Sequence, residues 1–281
     1  PLDKIERGGM KADRKGRNIS PEELKKTFNL ADVTIGEAAT SSQRRDHLNY
    51  AWDAMMDLAE ILGAKPETLS FGGTLHLAIG ALGHGKHAAH FSEAHPHPSG
   101  GTVPVINITN TRGDGAFFHE YFHAIDFLTK DEATRKAIKE LKDALINAPK
   151  SPDEIINIAR RFLVHGSKFT QMGRNATPLD HAKYALESYY RNKDTDTTQY
   201  YREARKLDQG SAKPYWSNAY EPWARASEAW GFDWLKDKAT RSDYLLSPGW
   251  MADGYAKPPA FRGIPYPEGE ESKGFNALFQ A

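Results

Sequence analysis

Cysteine is absent from all 281 residues, so no disulfide staples this fold and no thiolate holds a metal. Any metal must be bound by His, Asp or Glu. Net charge is absent too: 37 Lys+Arg balance 37 Asp+Glu, which argues against affinity owed to nucleic-acid phosphates. Nucleic acid is therefore not an expected partner. No apolar run is long enough to span a bilayer, and the N-terminus lacks the apolar core of a secretory signal. A cytoplasmic protein without a membrane partner is expected.

What the chain does have is a histidine pattern. Residues 119–123 read His-Glu-Tyr-Phe-His, and the four-residue spacing puts both imidazoles on one face of a helix, where they can bind one ion. Glu120 lies about 100° round that helix from His119, placed to act as a base on a metal-bound water without being a ligand. Two imidazoles and an adjacent carboxylate are the minimal set for zinc-assisted hydrolysis. The flanking residues Phe117, Phe118, Tyr121, Phe122, Ala124, Ile125, Phe127 and Leu128 make the helix apolar nearly all round, which predicts burial. Buried imidazoles and a buried glutamate need partners to offset lost hydration, and a metal is such a partner.

Around this motif the pattern changes along the chain. Residues 1–27 are basic and carry scattered glycines, and are expected to form an extended arm on the surface. Leu48, Ala51, Met55, Leu58, Ala59 and Leu62 recur at helical spacing, predicting a helix over residues 43–62 that stops at Gly63. Leu75, Leu77 and Ile79 alternate with polar or small residues, predicting a strand that turns at Gly83–Gly85 and returns over Ala88–Phe91 as a hairpin. Residues 94–101 read as a loop and Val103–Thr109 as a strand. Asp114 is the predicted cap of the motif helix. Beyond it, helices are predicted at Lys136–Leu145 and Asp153–Val164, with residues 191–213 a solvated connection or exposed helix. A helix then runs from Ser217 or Asn218 to about Lys236, and a Pro- and Gly-rich tail from Ser247 is expected to wrap the surface.

A catalytic zinc needs a third protein ligand and an open position for water. No third His follows within a dozen residues of His123. Asp126, on the same helical face, reads as a carboxylate that orients an imidazole from behind. Glu221 and Glu228, seven apart and so on one face, are the candidates for the third ligand, and spacing does not choose between them. His84, His87, His90, His95 and His97 form a second histidine-rich region, expected to be solvated, with a second metal site or a cleft lining as the alternative.

The runs Leu69–Ala81, Ile106–Gly113, His119–Asp126, Tyr215-Trp-Ser, Glu221–Glu228 and Tyr266-Pro-Glu-Gly-Glu together resemble the zincin-like metallopeptidase domain associated with large polyvalent proteins of phages and conjugative elements. The resemblance implies an α+β fold, with a small twisted sheet packed on the motif helix and a mostly helical second half, in one domain over residues 28–281. It implies zinc held by His119, His123 and Glu221, with Glu228 in reserve, and Tyr215 steadying the oxyanion. The expected activity is a gluzincin-type endopeptidase acting on a parent polyprotein or a host protein, in the bacterial cytoplasm or delivered with a virion. The alternative is a non-catalytic interaction module on the same scaffold.

Overall fold

The computed structural model describes residues 5–12, 14–37, 39–82, 89–97, 100–109, 115–128, 199–218, 220–246 and 266–280. The predicted helices Lys136–Leu145 and Asp153–Val164, the turn at Gly83–Gly85, the cap Asp114, and His84 and His87 lie outside them. In chain order the elements are β1 (Arg7–Gly8), α1 (Pro21–Phe28), β2 (Asp32–Ile35), α2 (Ser41–Ile61), a 3₁₀ turn (Pro66–Ser70), β3 (His76–Ile79), β4 (Ala89–Pro96), β5 (Thr102–Ile108), α3 (Phe117–Leu128), α4 (Gln199–Leu207), α5 (Tyr220–Asp237), β6 (Arg241–Ser242) and α6 (Gly269–Gln280). The class is α+β.

Four strands form one mixed sheet in the order β2-β3-β5-β4, with β4 antiparallel on an edge and the other pairs parallel. This corrects the predicted hairpin: β4 pairs with β5, and β5 lies between it and β3. The physical reason is burial. Every residue of β3 is buried, as are Val105 to Ile108 of β5, and a strand covered on both faces belongs in the middle of a sheet. The less buried β4 takes the edge, and it continues to Pro96, into what reads in sequence as a loop.

Local signals explain the long helices. Ser20 caps α1 by accepting from Glu23 N–H, Pro21 sits at the first position, and Asn29 closes the helix in the left-handed region, so the end of the predicted extended arm is helical. Thr40 and Gln43 form a capping box at the start of α2. Earlier in the arm two arginines are anchored: Arg7 meets Asp57 and Arg14 meets Asp53, both carboxylates on α2. Burial pushes the Asp57 carboxyl up, and the Arg7 hydrogen bonds oppose it.

Two other expectations are corrected. α4 is not fully solvated, because Tyr200 and Ala204 are buried and the Tyr200 hydroxyl donates to Pro222 O at 3.2 Å. Of the tail expected from Ser247, residues 247–265 lie outside the described residues, and the described part carries α6, whose Phe275 is fully buried and whose Phe279 ring packs near Phe122, Trp223 and Trp230. Aromatic side chains of this size enter the core rather than lie on a surface.

The seam that positions the site is α3 against α5. Phe118 and Phe122 stack at 4.9 Å, Trp230 tilts against Phe118 and meets Phe122 edge-on, and Trp223 Nε1 donates to Phe122 O at 3.0 Å. Gly231 allows the close approach: a Cβ there would lie 2.6 Å from the Phe118 ring. The start of α3 is fixed from elsewhere, since Gly115 and Phe118 donate N–H to the carbonyls of Tyr244 and Leu245. Tyr244 is tied in turn to α2 by a 2.9 Å bond between its hydroxyl and His47 Nδ1. None of the described helices is long and apolar enough to cross a membrane.

Gly231→Ala is expected to destabilise the protein. The overpacking cost of about 1–3 kcal/mol exceeds the roughly 1 kcal/mol of helix propensity gained. Denaturant titration would show a lower midpoint at unchanged slope.

Candidate metal centre

His119 and His123 project from one face of α3, and their Nε2 atoms lie 3.0 Å apart. α5 faces them with Glu221, whose Oε2 is 3.6 Å from His119 Nε2 and whose Oε1 is 3.5 Å from His123 Nε2. Among the described residues this is the group of three or more potential ligands whose donor atoms all lie within 4.8 Å of one another. Three ligand atoms at tetrahedral angles and roughly 2.0–2.1 Å from an ion stand about 3.3 Å from each other. The 3.0 Å between the imidazoles and the 3.5–3.6 Å from each imidazole to one or other of the two Glu221 oxygens lie on either side of that value.

Glu228, the reserve candidate, has a different place. Its Oε2 lies 3.4 Å from His119 Nδ1, on the far side of the ring from Glu221. A carboxylate there fixes the ring orientation and leaves Nε2 to the ion. Asp126, expected in sequence to orient an imidazole, is buried on the same helix as His119. Spacing misses this division because residues seven apart share a face, while reach to the two sides of one imidazole depends on how α5 crosses α3.

The electrostatics follow from burial. His119, Glu221 and Glu228 are all buried. Burial alone would lower the His119 pKa, but hydrogen bonding to Glu221 and Glu228 outweighs it and holds the imidazole protonated well above its ordinary range. Burial would raise Glu221, and His119 with His123 outweighs that and lowers it. Glu221 Oε2 is nevertheless buried without a hydrogen bond. It has an ion-pair contact with Arg225 Nε at 3.3 Å; a carboxylate oxygen so placed beside two imidazoles is one a cation would satisfy, so the donor set fits a metal.

The other expected participants are placed as follows. Glu120 is buried, and its carboxylate accepts from the Phe91 N–H of edge strand β4 at 2.7 Å. Tyr215 is 46% exposed, yet its hydroxyl lies near Glu221 and Arg225; burial of the hydroxyl and then the Glu221 charge raise its pKa. The sequence reading misses Arg225, one turn on from Glu221, whose Nη1 donates to the Tyr266 hydroxyl at 3.2 Å; Tyr266 donates to Glu228 at 3.0 Å. The turn spacing is the signal for Arg225, and nothing in spacing reaches Tyr266. His90 and His95 lie on β4 and His97 just beyond. His97 meets His76 edge-on at 6.1 Å, and His76 Nε2 bonds Thr34 Oγ1 at 2.9 Å.

One comparison speaks to origin. Residues 207–281 match the family model of large polyvalent protein-associated domain 1. No curated protein and no solved structure matches the chain. The matched segment supports an association with large polyvalent proteins, and it carries Glu221, Arg225, Glu228 and Tyr266. The motif helix lies outside it, so the donor set is assembled from two separate stretches of chain.

Because metal binding must expel the proton held at His119, zinc affinity is expected to rise with pH through neutrality and to keep rising above pH 7. An unperturbed imidazole would have levelled off by then. The measurement is calorimetric titration in buffers of different ionisation enthalpy. It should report about one proton released per zinc at pH 7.

Proposed function

We propose that this chain is a zinc-dependent endopeptidase of the gluzincin type on a zincin-like fold. Zinc would be held by His119, His123 and Glu221. The observation that carries the reading is the convergence of these three donors beside a buried Glu120 that the edge strand anchors. Bound there, zinc would polarise a peptide carbonyl and lower the pKa of its water.

The protein groups supply the rest. Glu120 accepts the proton of the attacking water and passes it to the leaving nitrogen. The N–H of Phe91 keeps that carboxylate oriented on the side of α3 that faces the sheet. Glu228 holds the His119 ring in register. The Tyr215 hydroxyl donates to the oxygen of the substrate carbonyl as charge develops on it. Among the described residues no strand pairs with the edge of β4 that faces away from β5, and a peptide substrate can add there as a strand, beyond Phe91, whose N–H is already given to Glu120. The substrate in this reading is a parent polyprotein or a host protein.

Glu120→Gln keeps the shape of the site and removes the base. The variant is expected to retain one zinc per chain and to lose peptide cleavage by a factor of about 100–10,000. Metal analysis together with cleavage of a peptide library measures both. Wild-type protein without zinc, or a Gln variant that cleaves at the wild-type rate, overturns the reading; zinc retained with no cleavage by wild type favours a binding module instead.

A further inference from the structure

Asp208, immediately after α4, takes four hydrogen bonds. Its Oδ1 accepts from the N–H of Tyr215 at 2.8 Å and of Trp216 at 3.0 Å, and its Oδ2 from the N–H and hydroxyl of Ser217 at 2.8 and 2.6 Å. Three consecutive amides closing on one carboxylate fix the loop as a rigid turn. These bonds lower the Asp208 pKa despite partial burial. The turn presents the face of Trp216 to the Arg225 guanidinium, 4.4 Å from the ring centroid, while Tyr266 lies 5.4 Å from the same guanidinium. A cation over an aromatic face is held by the ring quadrupole. Arg225 Nε in turn stands 3.3 Å from Glu221 Oε2, the oxygen that faces His119.

We propose that Asp208 and Trp216 are positioning residues for the metal centre: Asp208 sets the loop, the loop sets Trp216, and Trp216 holds Arg225 where it aims the Glu221 carboxylate at the two imidazoles. The inference rests on the metal reading above and adds residues that touch no donor atom. It assigns a purpose to the tyrosine-tryptophan turn at the head of α5. The turn places both the Tyr215 hydroxyl and the brace behind Glu221 through one carboxylate. Arg225 also carries a charge that opposes a cation nearby, so a substitution that keeps this charge and loosens its seat isolates the effect of geometry.

The test is zinc affinity of the full chain by competition with a chelator, for wild type, Asp208→Asn, Trp216→Leu and Trp216→Phe. Asp208→Asn retains the side-chain shape and turns an amide N–H toward two of the four donors. It is expected to weaken zinc binding about 3–10-fold, and Trp216→Leu about 10-fold, the low end for groups behind a ligand. Trp216→Phe restores a ring face and should recover most of the loss, which a role in packing alone would not produce. The double variant Asp208→Asn/Trp216→Leu should bind like Trp216→Leu, because both act through one seat. If the wild type binds zinc and Asp208→Asn and Trp216→Leu bind it as tightly, or if Phe recovers nothing over Leu, this inference falls and the metal reading stands. A wild type that binds no zinc overturns both.

Discussion

Everything at the candidate site depends on one packing contact, the crossing of α5 over α3. The stacked pair Phe118 and Phe122, the tilt of Trp230, and the space left by Gly231 set how close the two helices come. That distance decides whether Glu221 reaches the Nε2 atoms of His119 and His123 while Glu228 takes the Nδ1 side. Close-packed interiors give such precision because a shift of one ring moves its neighbours. The rest of the chain serves the seam: the Tyr244–Leu245 carbonyls fix where α3 begins, α2 holds Tyr244, and α6 closes over the aromatic layer with Phe275 and Phe279.

Carrying ionisable groups into this seam has a cost that the local structure offsets by pairing. His119 has carboxylates on both sides, Arg225 stands between Glu221 and Tyr266, and Glu120 is tied to a backbone amide. A buried charge left alone would neutralise or unfold its surroundings. Two facing atoms of this network, Glu221 Oε2 and Arg225 Nε, are buried 3.3 Å apart without a hydrogen bond. A cation bound where the two imidazoles meet Glu221 would complete the pairing of Oε2.

The motif helix and its burial were legible in the sequence, because an apolar pattern on nearly every face and a four-residue histidine spacing are local facts. So was the helix of Glu221, and the class α+β. The sheet order was not. Alternation predicts strands but not neighbours, and the insertion of β5 between β3 and β4 follows from burial on both faces, a tertiary property. The division of labour between Glu221 and Glu228 was hidden for a similar reason, since both share a face and only the crossing geometry separates them. Arg225 stood one turn from Glu221 and was within reach of spacing arguments, whereas Tyr266 and Asp208 act through contacts 38 and 7–9 residues away in sequence.

The claim that this is a metal centre is tested most directly by anomalous diffraction at the zinc edge from crystals of the protein grown without chelator. The account predicts one peak at about 2.0–2.2 Å from His119 Nε2, His123 Nε2 and a Glu221 oxygen, with Glu228 on Nδ1 of His119. No peak between these three residues, or a metal ligated by Glu228 in place of Glu221, would contradict it.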